Sequence, residues 1–235
     1  METLSGKYAI VTGGTRGIGR AIAERLLRDG AAVAICGRKQ DAVDRAVKEM
    51  QGLGRIVGAA ADVSQVEGAR QLFAAVDEVF GALDILVNNA GMGLFKKVGE
   101  MTPEEWHRNI DLNLNGAFYC AHEALPRFAK RGGGFVVNIS SLAARNPFSG
   151  GAAYNASKFG LNGFTEALML DHRNDNVRVS SIMPGSVDTD FSGSEGTASW
   201  KIAPEDVAEA VSMVLRMPTR TMVSRVEIRP SRPSK

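Results

Sequence analysis

Short apolar runs alternate along this chain with longer stretches in which apolar residues recur every three or four positions. The runs are Tyr8–Val11, Ala32–Ile35, Arg55–Val57, Leu83–Val87, Phe135–Ile139, Val177–Ile182 and Met222–Ile228. Such runs read as strands, and the stretches between them as amphipathic helices. Seven strands separated by helices predict an α/β fold, doubly wound, with a seven-stranded parallel sheet, right-handed crossovers and helices on both faces. Helix starts are marked by side chains able to cap free amides. Ser64-Gln-Val-Glu67 and Thr102-Pro-Glu-Glu105 read as capping boxes, and Pro204 with Glu205 and Asp206 opens the last helix. Pro126 is expected to end or kink the helix that begins near Pro103.

Length and composition narrow the class. The 235 residues are enough for one full core, and no repeat, linker or low-complexity block divides them, so a single domain spanning 1–235 is expected. The 28 basic and 26 acidic residues are dispersed, giving +2 overall and no support for nucleic-acid binding. No apolar run approaches the roughly 20 residues needed to span a bilayer, and the N-terminus lacks a signal-like pattern. A soluble cytoplasmic protein is expected. Cys36 and Cys120 stand apart without CxxC spacing and read as core residues. His107, His122 and His172 show no ligand spacing, and no metal is implied.

Chemistry enters at TGGTRGIG, residues 12–19, which follows the first strand and leads into the first helix. Gly13, Gly17 and Gly19 are spaced GxxxGxG, a variant of the usual dinucleotide fingerprint. Glycine lets the backbone turn sharply and lets a pyrophosphate approach amides at a helix N-terminus. The second strand leads into Gly37-Arg38-Lys39, where an NAD-type site needs a carboxylate for the ribose hydroxyls. An arginine there suits a ribose phosphate, and Arg16 in the turn is placed to approach the same group, so NADP(H) is expected over NAD(H). Asp62 and Asn88-Asn89-Ala90-Gly91 follow the third and fourth strands, at the carboxyl ends where open α/β sheets bind ligands. Asn88 is expected to bond backbone across the sheet and hold the site in shape.

Tyr154 and Lys158 are one helical turn apart in AAYNASKFG, with Ser141 thirteen residues before the tyrosine. A phenol of pKa about 10 is a poor proton shuttle at neutral pH unless nearby positive charge favours the phenolate. Lys158 at i+4 is placed to supply that charge. Ser141 is placed to donate to a carbonyl oxygen on which negative charge grows.

TGGTRGIG, Asp62, NNAG at 88–91, NLNGAF at 113–118, NISS at 138–141, YNASK at 154–158 and PGSVDT at 184–189 occur in this order. Over about Lys7 to Val207 the chain thereby resembles a short-chain dehydrogenase/reductase of the NADP(H)-preferring type. The resemblance implies a Rossmann-type fold and an oxidoreductase that reduces a ketone or aldehyde reversibly. It implies Tyr154 as acid/base, Lys158 on the nicotinamide ribose, Ser141 on the carbonyl and Asn113 holding a relay water. The thirteen-residue spacing selects Ser141 over Ser140, which is expected to bond backbone, and the NLxGxF pattern selects Asn113 over Asn115. For the cofactor the resemblance implies Gly13, Thr15, Arg16, Gly17, Ile18, Gly19, Arg38, Asp62, Val63, Asn89, Ala90 and Gly91. Tyr154, Lys158, Pro184, Gly185, Val187 and Thr189 complete that set. It also implies a homo-oligomer, tetramer or dimer, built on helices at about 103–130 and 153–174.

A short Ser- and Gly-rich substrate loop near 190–203 has Phe191 and Trp200 as its large aromatics. Asp188 and Asp190 read as part of a turn. The chain lacks a Gly-Gly ending common in carrier-linked ketoacyl reductases. Two alternatives stand beside the carbonyl reductase: a 3-oxoacyl-thioester reductase, and a nicotinamide-sensing binding protein without turnover.

Overall fold

The computed structural model describes residues 2–189, 191 and 199–232. Seven parallel strands form one sheet in the order β3-β2-β1-β4-β5-β6-β7. In chain order the elements are β1 (Tyr8–Val11), α1 (Gly17–Arg28), β2 (Ala32–Gly37), α2 (Gln40–Met50), β3 (Ile56–Ala60), α3 (Val66–Phe80) and β4 (Ile85–Asn88). There follow α4 (Pro103–Ile110), α5 (Gly116–Arg131), β5 (Gly134–Ile139), α6 (Ala152–His172), β6 (Val177–Pro184), α7 (Pro204–Leu215) and β7 (Arg225–Ile228). The Rossmann-type doubly wound fold is the one the alternating pattern predicts.

Successive residues of a strand point to opposite faces, and here both faces are apolar. Ala9, Val11, Val33, Ile35, Ile85 and Val87 pack with Ile22 and Leu26 of α1, Met50 of α2 and Val207 and Val211 of α7. The intervening Ile10, Ala34, Cys36 and Leu86 pack with Leu72 and Phe73 of α3, Ala124 and Phe128 of α5 and Leu168 of α6. Each fully buried large side chain, such as Phe73 or Phe128, contributes about 1.5–3 kcal/mol relative to exposure. Both cysteines are free and buried, and burial pushes the Cys36 thiol up to about 11 and that of Cys120 in the same direction. They are core residues, as expected.

From β1 the chain moves outward to β2 and β3, then returns to place β4 on the other side of β1. Beyond the carboxyl ends of β1 and β4 the following loops diverge, and an open α/β sheet places its ligand crevice at such a switch point.

Local chemistry explains two of the helix starts. Thr102 Oγ1 accepts the Glu105 N–H at 3.2 Å while the Glu105 carboxylate accepts the Thr102 N–H at 3.0 Å, the expected capping box. Asp206 accepts the Ala203 N–H at 2.9 Å ahead of Pro204. The Ser64 box does not form. Residue 65 takes the N-cap position of α3, and the Ser64 amide and hydroxyl both donate to Asp62 Oδ1, at 3.1 and 2.7 Å. The carboxylate two residues back is a charged acceptor and outcompetes the helix amide.

Pro126 does not end its helix. α5 runs on to Arg131, and the interruption comes earlier, as a π-helical turn over Asp111–Asn115 between α4 and α5. Strand ends also shift: β3 extends through Gly58-Ala59-Ala60, and β7 starts at Arg225 instead of 222. Small residues carry little strand preference of their own, so pairing of β3 with β2 decides that boundary. Among the described residues no helix is long and apolar enough to cross a membrane.

Candidate active site

The glycine turn leaves β1 and is stitched to both neighbouring strands. Gly14 N–H donates to Cys36 O at 3.1 Å, at the end of β2. Thr12 Oγ1 accepts the N–H groups of Asn89 and Ala90, each at 3.0 Å, and Asn89 Nδ2 donates to Thr12 O at 2.9 Å and Gly13 O at 3.2 Å. Gly13 and Gly17 take φ of +65° and +54°, a region that favours glycine. A Cβ on Gly13 would lie 3.0 Å from the Ala90 Cα, and one on Gly19 would run into Gly13 O and Asn89 Nδ2. Thr12 and Asn89 thus hold a bare-backbone cradle.

The N-terminus of α1 opens into that cradle. Arg16 occupies its N-cap without a side-chain cap bond, and no acid stands in the first turn, so the leading amides and the positive end of the dipole face outward. Free amides at the positive end of a helix dipole suit an anionic group. A Cβ on Gly37 would lie 2.8 Å from Thr15 Cγ2, so the ends of β2 and of the turn adjoin, with Arg16 and Arg38 both exposed there. Thr189 closes the cradle from above, its methyl 3.5 Å from the Cβ position of Gly17. The segment before it is fixed by Gly185 N–H to Ile228 O at 2.8 Å and, around Val187, by Asp188 N–H to Ile202 O at 2.8 Å. Asp188 lies 3.9 Å from Lys201, in a turn as expected, whereas Asp190 lies outside the described residues. Asp62 is exposed at the crevice edge and Val63 is buried behind it. Gly68 of α3 lets that helix rest against the Asp62 backbone, a contact that sequence reading missed.

At the other end of the crevice, Tyr154 and Lys158 project from one face of α6. Lys158 Nζ is buried, donates to Ile139 O at 2.9 Å and lies 5.8 Å from the centre of the Tyr154 ring. It is also 3.8 Å from the Cβ position of Gly91. Burial without a carboxylate partner lowers its pKa to about 8. Burial raises the Tyr154 phenol, and the Ser141 hydroxyl beside it opposes the rise. In the protein alone, desolvation is the larger influence on the phenol and keeps it protonated at neutral pH.

Ser141 Oγ accepts the Ala143 N–H at 3.1 Å, starting a short turn after β5. Ser140 N–H donates to Ile182 O at 2.8 Å, but among the described residues its buried hydroxyl has no hydrogen-bond partner, contrary to the expectation for that side chain. Asn113 sits on the π-helical turn. Its side chain grips Met92 on both sides, accepting the N–H at 2.8 Å and donating to the carbonyl at 2.9 Å, and also donates to Ser157 Oγ at 3.0 Å. Asn115, its rival in sequence, donates to Asp111 instead, at 2.8 Å. A cavity of about 10 Å³, lined in part by Asn113, Lys158 and Ile139, has room for about one water molecule.

Across the sheet Asn88 meets a side chain and not the expected backbone, and its backbone acceptor lies on α5. It donates to Ala117 O at 3.3 Å and Asn138 Oδ1 at 2.9 Å, and Asn138 donates to Thr165 at 2.8 Å, tying β4, β5, α5 and α6 together. Three phenylalanines were not legible as neighbours. Phe95 packs edge-on to Tyr154 with ring centres 5.5 Å apart, Phe191 lies 5.8 Å from it, and Phe148 lies 5.5 Å from Phe95. Most of the substrate loop near 190–203 lies outside the described residues. Among the described residues no group of three or more His, Cys, Asp or Glu is placed to hold a metal ion.

Residues 7–200 match the model of the short chain dehydrogenase family. This chain belongs to that family. Dehydrogenase/reductase SDR family member 4 of Oryctolagus cuniculus is 40% identical over 223 residues, 94% of this chain and 83% of that protein. Among solved structures, an alcohol dehydrogenase from Thermococcus sibiricus complexed with 5-hydroxy-NADP superposes with a TM-score of 0.90 at 32% identity, covering 97% of this chain and 99% of that one. A 7α-hydroxysteroid dehydrogenase complexed with NADH and 7-oxo glycochenodeoxycholic acid gives 0.89 at 29% identity, covering 96% and 94%. The short-chain dehydrogenase described here is therefore an oxidoreductase acting between CH–OH and C=O, on a small molecule, with a nicotinamide cofactor.

Proposed function

We propose that the protein is an NADPH-dependent carbonyl reductase, reversible as an alcohol dehydrogenase, with Tyr154, Lys158, Ser141 and Asn113 as its chemical machinery. The observation that carries this reading is the buried Lys158 ammonium. Among the described residues it has one acceptor, Ile139 O, and it stands beside both the phenol and the backbone of Gly91. An ammonium has three donors, and an unpaired buried charge is costly, so its spare N–H groups suit the hydroxyls of a cofactor ribose.

A nicotinamide cofactor, when bound, supplies or accepts the hydride. Ser141 donates to the carbonyl oxygen, and Tyr154, protonated at neutral pH in its buried setting, gives that oxygen its proton. Lys158 supports the phenolate left behind, and a water in the small cavity beside Asn113 and Lys158 connects the proton to solvent. Asn113 acts as a positioning residue through its grip on Met92.

Preference for NADPH rests on Arg16 and Arg38 beside the ribose end and on the missing acid after β2. Neighbouring structures hold both cofactor types, NADP and NADH. The exposed Phe118 of α5 and Phe159 and Leu170 of α6 support the inferred homo-oligomer, since these helices form its expected interface.

The test is Tyr154→Phe. Turnover of a carbonyl panel with NADPH should fall about 10³-fold while NADPH binding, by fluorescence titration, stays near that of the unaltered protein. Turnover that survives overturns the assignment of Tyr154, and binding without any turnover by the unaltered protein favours the nicotinamide-sensing alternative.

A further inference from the structure

Phe95 and Phe191 flank the Tyr154 ring and Phe148 packs against Phe95, the three residues being 41 to 46% exposed. Phe95 follows the loop that Asn113 grips at Met92, and the next residue, Lys96, is bridged in register to Gly151. Phe148 precedes Gly151, whose N–H donates to Phe148 O at 3.1 Å. With its amide turned to suit both neighbours, Asn155 accepts the Phe148 N–H at 2.9 Å and donates to Gly151 O at 3.2 Å. Phe191 comes in from the far side, its N–H on Thr189 Oγ1 at 3.4 Å.

Gly93 leaves room for both rings that flank Tyr154. A Cβ there would lie 2.5 Å from Phe95 Cζ and 2.7 Å from Phe191 Cε1. The rings are set at steep angles, 85° for Phe95 against Tyr154, 64° for Phe148 against Phe95 and 60° for Phe191 against Tyr154. Apolar rings fixed half-exposed gain nothing from water, and a cup of angled rings offers edges and faces to one more ring. Preorganised aromatic groups lose little freedom on binding a rigid partner. The anchors of Phe148 are Gly151 and Asn155, immediately before and after Ala152–Tyr154, so cup and phenol share one rigid mount.

We infer that Phe95, Phe148 and Phe191 form a specificity cup for a flat aromatic ring, so that the substrate is a ketone whose carbonyl is attached directly to an aryl group. This rests on the carbonyl-reductase reading above. With the aryl ring in the cup, the carbonyl one bond away lies next to the Tyr154 hydroxyl. A flexible acyl thioester would leave the cup's ring faces unmatched.

Steady-state kinetics with NADPH on 2-acetylnaphthalene, 2-butanone and an acetoacetyl thioester test this, using the unaltered protein and Phe148→Leu and Phe95→Leu. The kcat/KM for 2-acetylnaphthalene should exceed that for 2-butanone by about 30-fold, and each leucine variant should lower that ratio about fivefold, through KM and not kcat. Leucine keeps the apolar bulk and removes only the ring. Equal specificity for the two ketones, a preference for the thioester, or variants that lower kcat on both ketones alike would overturn the cup while leaving the reductase reading in place. Failure of the unaltered protein to turn over any of the three would remove the reductase reading itself, and the cup with it.

Discussion

The two ends of the crevice are built on opposite rules. At the proposed phosphate end the groups on offer are backbone amides at the start of α1 and two exposed arginines, and the neighbouring side chains, Thr12 and Asn89, hold the backbone in place. At the proton-transfer end the groups are side chains, buried, with the lysine lowered to about 8 and the tyrosine raised. An exposed cation recognises an anion without changing its own state, whereas a buried one is destabilised until a ligand arrives. Anion binding therefore uses geometry, and proton transfer uses desolvation.

The comparison breaks most visibly at Lys158. A folded-state pKa of about 8 against the ordinary 10.5 means that the unfolded chain binds more protons between these values. Stability of the cofactor-free protein should rise as pH increases from about 8 towards 10.5, and the charged lysine should cost up to about 3 kcal/mol below that window. Lys158→Met should therefore unfold at higher urea than the unaltered protein at pH 7, with the gap closing as pH approaches 10, even though turnover is lost. A variant less stable at pH 7 would mean that the ammonium is well paired, and the contrast between the two ends would collapse.

At the phosphate end the largest response should come from a methyl group. Gly19→Ala puts a Cβ into Gly13 O and Asn89 Nδ2, so the cradle must open. Cofactor affinity should drop about 100-fold, measured by fluorescence titration, with the pH profile of turnover unmoved, because no titrating group has changed. The smallest effect sharpens the picture further. Arg38→Asp should weaken NADPH relative to NADH by about tenfold in the ratio of kcat/KM, the size of one charge-assisted bond. An unchanged ratio would remove Arg38 from cofactor choice.

Much of both ends was legible because each depends on residue type at short spacing. The turn needs glycines where the backbone is crowded, and Tyr154 and Lys158 lie four residues apart on one helix. What stayed hidden depends on partners distant in sequence. Ser64 was misread because a carboxylate two residues back outbid the helix. Pro126 was read as ending or kinking its helix, whereas the break comes at Asp111–Asn115, which carries Asn113 to Met92 and has no proline or glycine inside it to announce it. Phe95, Phe148 and Phe191 come from three separate loops, and nothing local to any of them says that they meet.

By itself the sequence determined the seven strands, their parallel winding and the identity of the groups able to do chemistry, since periodicity and residue type act locally and survive any detail of packing. Only the tertiary structure decided how those groups behave. Burial is a property of everything packed around an atom, and it is burial that raises the phenol and lowers Lys158, while the paths of three loops set Phe95 and Phe191 against the Tyr154 ring and Phe148 against Phe95.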